Sequence, residues 1–137
     1  MDRAGKVSNG KNREVIIFSD EIGWHTGQLQ IGLNLSGIKT RILNLTSVDV
    51  FIDCAKDNFV IRNFNMSPSC CFVRGIAGGS LEQVTRRLAI LHQLEFLGIP
   101  VVNSGRGIEN SVDKCMTSFL LRMQDIPTPD CWALEDK

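Results

Sequence analysis

Three short stretches of this chain carry side chains able to bind or react, and each follows a run of apolar residues. The first, Asp20-Glu21-Ile22-Gly23-Trp24-His25, places two carboxylates, an indole and an imidazole within six residues. Such a group could orient a polar ligand or move a proton while the indole offers a flat apolar platform. The same residues also have an ordinary use, with Asp20 capping a following helix, Trp24 packed against it and His25 in water. The second stretch is Arg74-Gly75-Ile76-Ala77-Gly78-Gly79-Ser80. A guanidinium grips a carboxylate bidentately, glycines admit a ligand close to the backbone, and a helix starting near Ser80 favours an anion. It is not a phosphate loop of the Walker type, because no Lys-Ser or Lys-Thr follows the glycines, and it lacks GxGxxG spacing. The third, Asn103-Ser104-Gly105-Arg106-Gly107, again sets small residues ahead of a helical segment, with plain turn chemistry as the competing account. No GxSxG, no paired Cys and His, and no matched pair of acids is present, so nothing nucleophilic is assembled.

Alternating strands and helices must position these loops. Val15-Ile16-Ile17-Phe18 and Cys70-Cys71-Phe72-Val73 are compact apolar runs of the kind buried on both faces of a parallel sheet. Leu29, Leu33 and Leu35, with Ile31 nearby, give helical periodicity up to Gly37, and residues 40–45 read as a second strand. Val48 to Phe51 is ambiguous between a short helix and a loop, whereas residues 59–64 alternate like a half-exposed hairpin strand. Ser80 with Gln83 forms a capping box ahead of a helix lined by Leu81, Val84, Leu88, Leu91, Leu94 and Leu97, with Arg86, Arg87 and Gln93 opposite. Residues 99–103 are the next strand, with Pro100 at its start. Ser111 to Gln124 reads as one last helix, and Cys131 to Leu134 as the beginning of a strand in want of a partner. The expected architecture is α/β, a mostly parallel open sheet with helices on both faces.

Composition narrows the function classes. A chain of 137 residues with 43% hydrophobic and 22% charged residues has the make-up of an ordinary globular domain. Net charge is zero and the pI about 6.7, so no overall field draws in nucleic acid or an anionic membrane, and neither is expected as a partner. Arg3, Lys6, Lys11 and Arg13 lie among Gly, Ser and Asn, which reads as a flexible tail over residues 1–13. The five cysteines lack metal-ligand spacing, and His25 and His92 are far apart, so no metal site is expected. Buried thiols, no leader and no spanning stretch indicate a cytoplasmic protein.

From Val101 onward a sequence pattern appears. Val101, Val102, Asn103 and Ser104, then Ile108-Glu109, Ser111-Val112-Asp113-Lys114, Thr117-Ser118 and Ile126-Pro127-Thr128-Pro129 follow in order. This resembles the junction between the pre-ATP-grasp domain and the ATP-grasp fold of RimK-type carboxylate–amine ligases. Phe72 to Gln83 and Gly23-Trp24-His25 are similar to the branch that includes tetrahydromethanopterin:glutamate ligase, and the resemblance runs from about Val15 to Leu134. It implies a Rossmann-like pre-ATP-grasp domain over residues 14–110, then a linking helix and first strand of an ATP-grasp domain over 111–137. It implies a complete enzyme that uses ATP and Mg2+ (or Mn2+) to activate a carboxylate as an acyl phosphate and join it to an amine, glutamate in that branch. The partners would be a small-molecule carboxylate and an amino acid, with a homo-oligomer open. Lys114 resembles the family's lysine that reaches ATP phosphate, and the resemblance implies that role for it. The family's second lysine, lid and metal-binding residues would lie beyond Lys137, so this chain alone should not catalyse. Arg74, Gly75, Gly78, Gly79, Asp20, Trp24, His25 and Asn103 are then candidates for holding substrate. The alternatives are a free-standing binding or regulatory module and an unrelated flavodoxin-like or response-regulator domain, although Asp53 follows no clear strand.

Overall fold

The computed structural model describes residues 14–53, 58–62, 64 and 68–135. Its elements are β1 (Glu14–Phe18), α1 (Trp24–Leu35), β2 (Lys39–Leu43), a 3-10 turn (Leu45–Ser47), β3 (Asp49–Asp53), β4 (Asn58–Arg62), β5 (Cys70–Val73), α2 (Leu81–Phe96), β6 (Val101–Val102), α3 (Gly105–Val112) and α4 (Lys114–Arg122). A parallel sheet runs in the order β2, β1, β5, β6, with Val15 opposite both Thr40 and Cys70. β1 therefore lies between two neighbours, and each of its residues is buried. The fold is α/β, a parallel sheet flanked by helices, as the spacing of the apolar runs requires. Right-handed crossovers that leave β1 in one lateral direction and β5 in the other put α1 and α2 on opposite faces.

β3 and β4 form a separate antiparallel pair, with Val50 opposite Ile61. The hairpin expected around residues 59–64 is present. Its first strand is the Val48–Phe51 region that local pattern left between helix and loop. Strand hydrogen bonds come from a partner, so five residues read alone do not reveal them.

The core lies on the α2 face. Ile16, Phe18, Cys71, Val73 and Val101 from the sheet meet Ile90, Leu91 and Leu94 of α2, with Leu45 and Val48 closing one side. Burying each large aliphatic side chain contributes about 1.5–3 kcal/mol, which makes this contact the main source of stability. Phe64 extends it, its ring stacked on Phe18 with centroids 6.2 Å apart. Both halves of the Ser80–Gln83 capping box form, and α1 and α2 are each followed by a glycine at positive φ, Gly37 and Gly98.

Several expectations need correction. The buried stripe of α2 is Arg87, Ile90, Leu91 and Leu94, whereas Leu81 and Leu97 are exposed and Gln93 is half-buried. Arg87, expected on the solvent side with Arg86, is 7% exposed. The helix expected over Ser111 to Gln124 is α4, which begins at Lys114, and Ser111 and Val112 belong instead to a separate helix, α3. Asp113 is extended (φ −79°, ψ 106°), ends α3, and caps α4 by accepting from Met116 N at 2.9 Å. A side-chain acceptor that captures a backbone amide offers the chain an alternative to continuing its helix. Residues 131–134 form no strand and are exposed. Among the described thiols only Cys71 is buried, and Cys115 and Cys131 are exposed. Cys54 and the tail at residues 1–13 lie outside the described residues. Among the described residues no helix is long and apolar enough to cross a membrane.

Candidate functional site

Where neighbouring parallel strands send their chains in opposite lateral directions, the loops diverge and leave a crevice at the strands' carboxyl ends. Here that place is between β1 and β5, since β1 leads to β2 and β5 to β6. The first two candidate loops leave these two strands.

The loop after β1 is tied at its root. Ser19 is buried, its hydroxyl donating to Glu21 O and lying 3.1 Å from Thr26 Oγ1, itself buried on α1. Gly23 is the residue before α1 and supplies no side-chain cap, so Asp20 does not cap the helix. Asp20 instead lies against Gly75, where a Cβ would overlap its Oδ1, and Asn44 Nδ2 donates to its carbonyl at 3.4 Å. Trp24 is 72% exposed rather than packed, meeting the His25 ring edge to face at 5.0 Å.

The loop after β5 meets the first. The amides of Arg74 and Gly75 both donate to Phe18 O, at 2.8 and 3.4 Å. Gly75 is a glycine because of the close approach to Asp20. The Arg74 side chain is exposed and makes no ion pair among the described residues, with Asp20 and Glu21 of the facing loop or with any other carboxylate. A Cβ on Gly78 would stand in open space, whereas one on Gly79 would run into Gln83 and approach Arg87 Nη1 to 3.2 Å. Arg87 Nη1 donates to Ala77 O and, at 3.2 Å, to Gly78 O.

The third loop joins from β6. Asn103 Nδ2 donates to Val73 O at 3.5 Å, and Ser104 caps α3 by accepting from Gly107 N at 3.0 Å. Gly105 serves packing, since a Cβ there would sit 2.9 Å from Cε1 of His92. His92 Nε2 lies 2.8 Å from Glu109 Oε1 and its Nδ1 3.4 Å from Glu95, and Arg106 donates to Glu109 at 3.1 Å. The bond to Glu109 raises the His92 pKa, and the same bond, with Arg106, lowers that of Glu109. Burial pushes the Cys71 thiol up to about 12, which excludes it as a thiolate nucleophile.

Asp20, Arg74, Gly75 and Asn103 thus gather at the ends of β1 and β5, with Trp24 and His25 farther along the first loop and Gly78 and Gly79 leading into α2. Lys114 is separate. It is exposed at the start of α4, its Nζ donates to Ser111 O at 2.8 Å, and no hydrogen bond or ion pair among the described residues joins it to the three loops. Sequence reasoning missed Ser19, Thr26, Arg87 and the His92–Glu109 link. For Arg87 a signal was present, because it falls in register with Ile90, Leu91 and Leu94 on the apolar stripe. Among the described residues no three His, Cys, Asp or Glu side chains cluster to hold a metal.

No protein-family model matches the chain. It is 31% identical over 121 residues to tetrahydromethanopterin:alpha-L-glutamate ligase of Methanococcus maripaludis, an alignment covering 88% of this chain and 40% of that protein. It is 36% identical over 63 residues to the enzyme of the same name from Methanosarcina acetivorans, covering 46% of the chain and 19% of the relative. The chain therefore spans less than half the length of the curated relatives it matches. In fold it is similar to the ATP-grasp ligase PsnB complexed with minimal precursor, Mg and ADP, with TM-score 0.63 at 19% identity over 89% of this chain and 47% of that one. PsnB complexed with a precursor peptide and AMPPNP superposes at TM-score 0.62 over 91% and 48% of the two chains. The relatives by sequence are glutamate ligases, and the neighbours by fold are ATP-grasp ligases.

Proposed function

We propose that this chain is the substrate-binding portion of a cytoplasmic, RimK-type ATP-dependent ligase that joins a carboxylate to the amine of an amino acid, glutamate by the nearest relatives' names. The observation that carries this reading is the 31% identity to a glutamate ligase over 88% of the chain. Three loops at the carboxyl ends of β1, β5 and β6, joined at their roots by the bonds of Arg74, Gly75 and Asn103, supply a place for the acceptor. Arg74, exposed and without an ion pair among the described residues, is the group free to grip its carboxylate. Asp20, Trp24, His25 and Asn103 form the walls around it, and Gly75, Gly78 and Gly79 leave it room. Residues 14–110 make up the pre-ATP-grasp domain in this reading, and the chain from Ser111 onward leads into the next one. The helix break at Asp113 supports a junction there.

The complete reaction converts the acceptor carboxylate into an acyl phosphate using ATP, and the amine then displaces phosphate to form the amide. Lys114 is the contact to nucleotide phosphate, a flexible ammonium suited to one oxygen. The described residues do not fit a magnesium site, because no acidic cluster is present among them, so no step here is routed through the metal. The second reading is a free-standing ligand-binding or regulatory module without catalysis.

The test is turnover by the full-length protein with tetrahydromethanopterin, L-glutamate and Mg-ATP, following ADP and the amide product. Formation of both supports the ligase reading. Absence of ADP release with this acceptor and with other small carboxylates rejects it. For the 137 residues alone, calorimetry with Mg-ATP should show no micromolar binding, and micromolar binding would reject the single-contact account.

A further inference from the structure

The loop from Arg74 to Ser80 meets a second guanidinium besides that of the exposed Arg74. Arg87 is buried on the core stripe of α2, 7% exposed, and no carboxylate lies within ion-pairing distance of it among the described residues. Placing a charge there is costly unless its hydrogen bonds are met, and its partners are the carbonyls of Ala77 and Gly78. Those carbonyls belong to trans peptides, in which the C=O and the following N–H point in opposite directions. Drawing both carbonyls in toward α2 therefore turns the amides of Gly78 and Gly79 away from it. Neither amide donates to an acceptor among the described residues, and Gly78 faces open space. A packing role alone would be met by a Leu or Met in register with Ile90 and Leu91, with the loop carbonyls left to water.

We infer that Arg87 is a positioning residue for the acceptor: by holding the Ala77 and Gly78 carbonyls it aims the amides of Gly78 and Gly79 at a carboxylate oxygen gripped from the other side by Arg74. This rests on the proposal that the crevice holds the acceptor carboxylate. Two consecutive amides facing one way offer an anion two donors, and a buried positive charge beneath them adds to the attraction. Gly79 fits the same arrangement, since a side chain there would collide with Gln83 and crowd Arg87.

Arg87→Met in the full-length protein keeps the length and apolar stem of the side chain and removes its donors. With tetrahydromethanopterin as acceptor, the KM for acceptor should rise about tenfold while that for ATP stays within about twofold. A purely structural role would leave both constants of the folded enzyme unchanged, or raise both together, and either result overturns the inference. Should Arg87→Met fail to fold, Arg87→Lys decides, because it keeps the charge but not the two-carbonyl grip. An acceptor KM raised about threefold supports the role, and an unchanged one refutes it. A wild-type protein without ligase turnover removes the functional reading and this inference with it. An active wild type whose variants keep the acceptor KM removes the inference alone.

Discussion

The loop from Arg74 to Ser80 and the helix α4 each present a cation proposed to meet an anion, and they are built in opposite ways. The loop backbone is held at three places, by Phe18 O at one end, Arg87 in the middle and the capping box at the other. The helix behind it is anchored by Ile90, Leu91 and Leu94, each buried in the core. α4 has no buried residue. Its Lys114 bonds a carbonyl three residues back, while Phe119 and Met123 are 56% and 63% exposed. Preorganisation lowers the cost of binding, so the loop should act as a formed half-site within this chain whereas α4 offers a single charge.

Deleting core volume is the strongest way to test that contrast. Leu91→Ala should cost about 2–5 kcal/mol of stability, because both the transfer free energy and a cavity are at stake. Phe119→Ala should cost about 1 kcal/mol or less, since more than half of that side chain is already in water. Denaturant unfolding measures both, and equal losses would mean that α4 is as much a part of the core as α2. Next in size is Lys114→Ala. Losing a charge-assisted phosphate contact costs about 1.5–3 kcal/mol, so the KM for ATP in the full-length protein should rise about ten- to a hundredfold with the melting temperature unmoved. Unchanged ATP kinetics would leave Lys114 as a surface residue that bonds Ser111.

The same contrast explains what could be read from the residues. The parallel strands were legible because burial on both faces leaves unbroken apolar runs such as Val15 to Phe18. The α2 boundaries were legible from Ser80, Gln83 and Gly98. The candidate loops could be placed because in such sheets ligand-facing loops follow strands. Side-chain engagement was not legible. Asp20 looked like a helix cap and packs on Gly75, and Arg87 looked solvated and holds a loop ten residues earlier. Both depend on contacts between segments, which local pattern does not encode. The α3–α4 break was missed because the apolar spacing runs on through it, and the side-chain hydrogen bond of Asp113 is what interrupts the helix.

Arg74→Lys sharpens the comparison at the loop itself. Arg74 makes no ion pair among the described residues, so the change should leave the melting temperature where it is. A lysine cannot reproduce a bidentate grip, and the acceptor KM should rise about three- to tenfold while ATP kinetics stay constant. A lowered melting temperature with unaltered acceptor kinetics would instead make Arg74 a structural residue and move the acceptor site elsewhere.

The smallest expected effect concerns the link between α2 and α3, which carries the contrast from the core toward α4. His92 on α2 faces Glu109 and the exposed Arg106 from α3, and Glu95 from its own helix. The hydrogen bond to Glu109 raises the folded-state pKa of His92 above its unfolded value of about 6.5. The stability from this charged pair is therefore complete below about pH 6.5 and is lost as pH rises through the raised folded value. Glu109 behaves oppositely. Its folded pKa is lowered, so its share is present above about 4.3, the unfolded value, and is lost as pH falls through the lowered one. The link should be strongest between those limits. The His92 side chain is 41% exposed, so solvent screens the pair and the effect is modest. Melting temperatures at about pH 5.5 and 8.5 check it in the wild type and in His92→Gln, which keeps a donor but cannot titrate. The wild type should lose more stability on going to the higher pH than the variant does, other groups cancelling between the two proteins. Parallel losses would mean that His92 and Glu109 touch without coupling the two helices, and that α3 is held to α2 by the close packing of Gly105 on the imidazole ring.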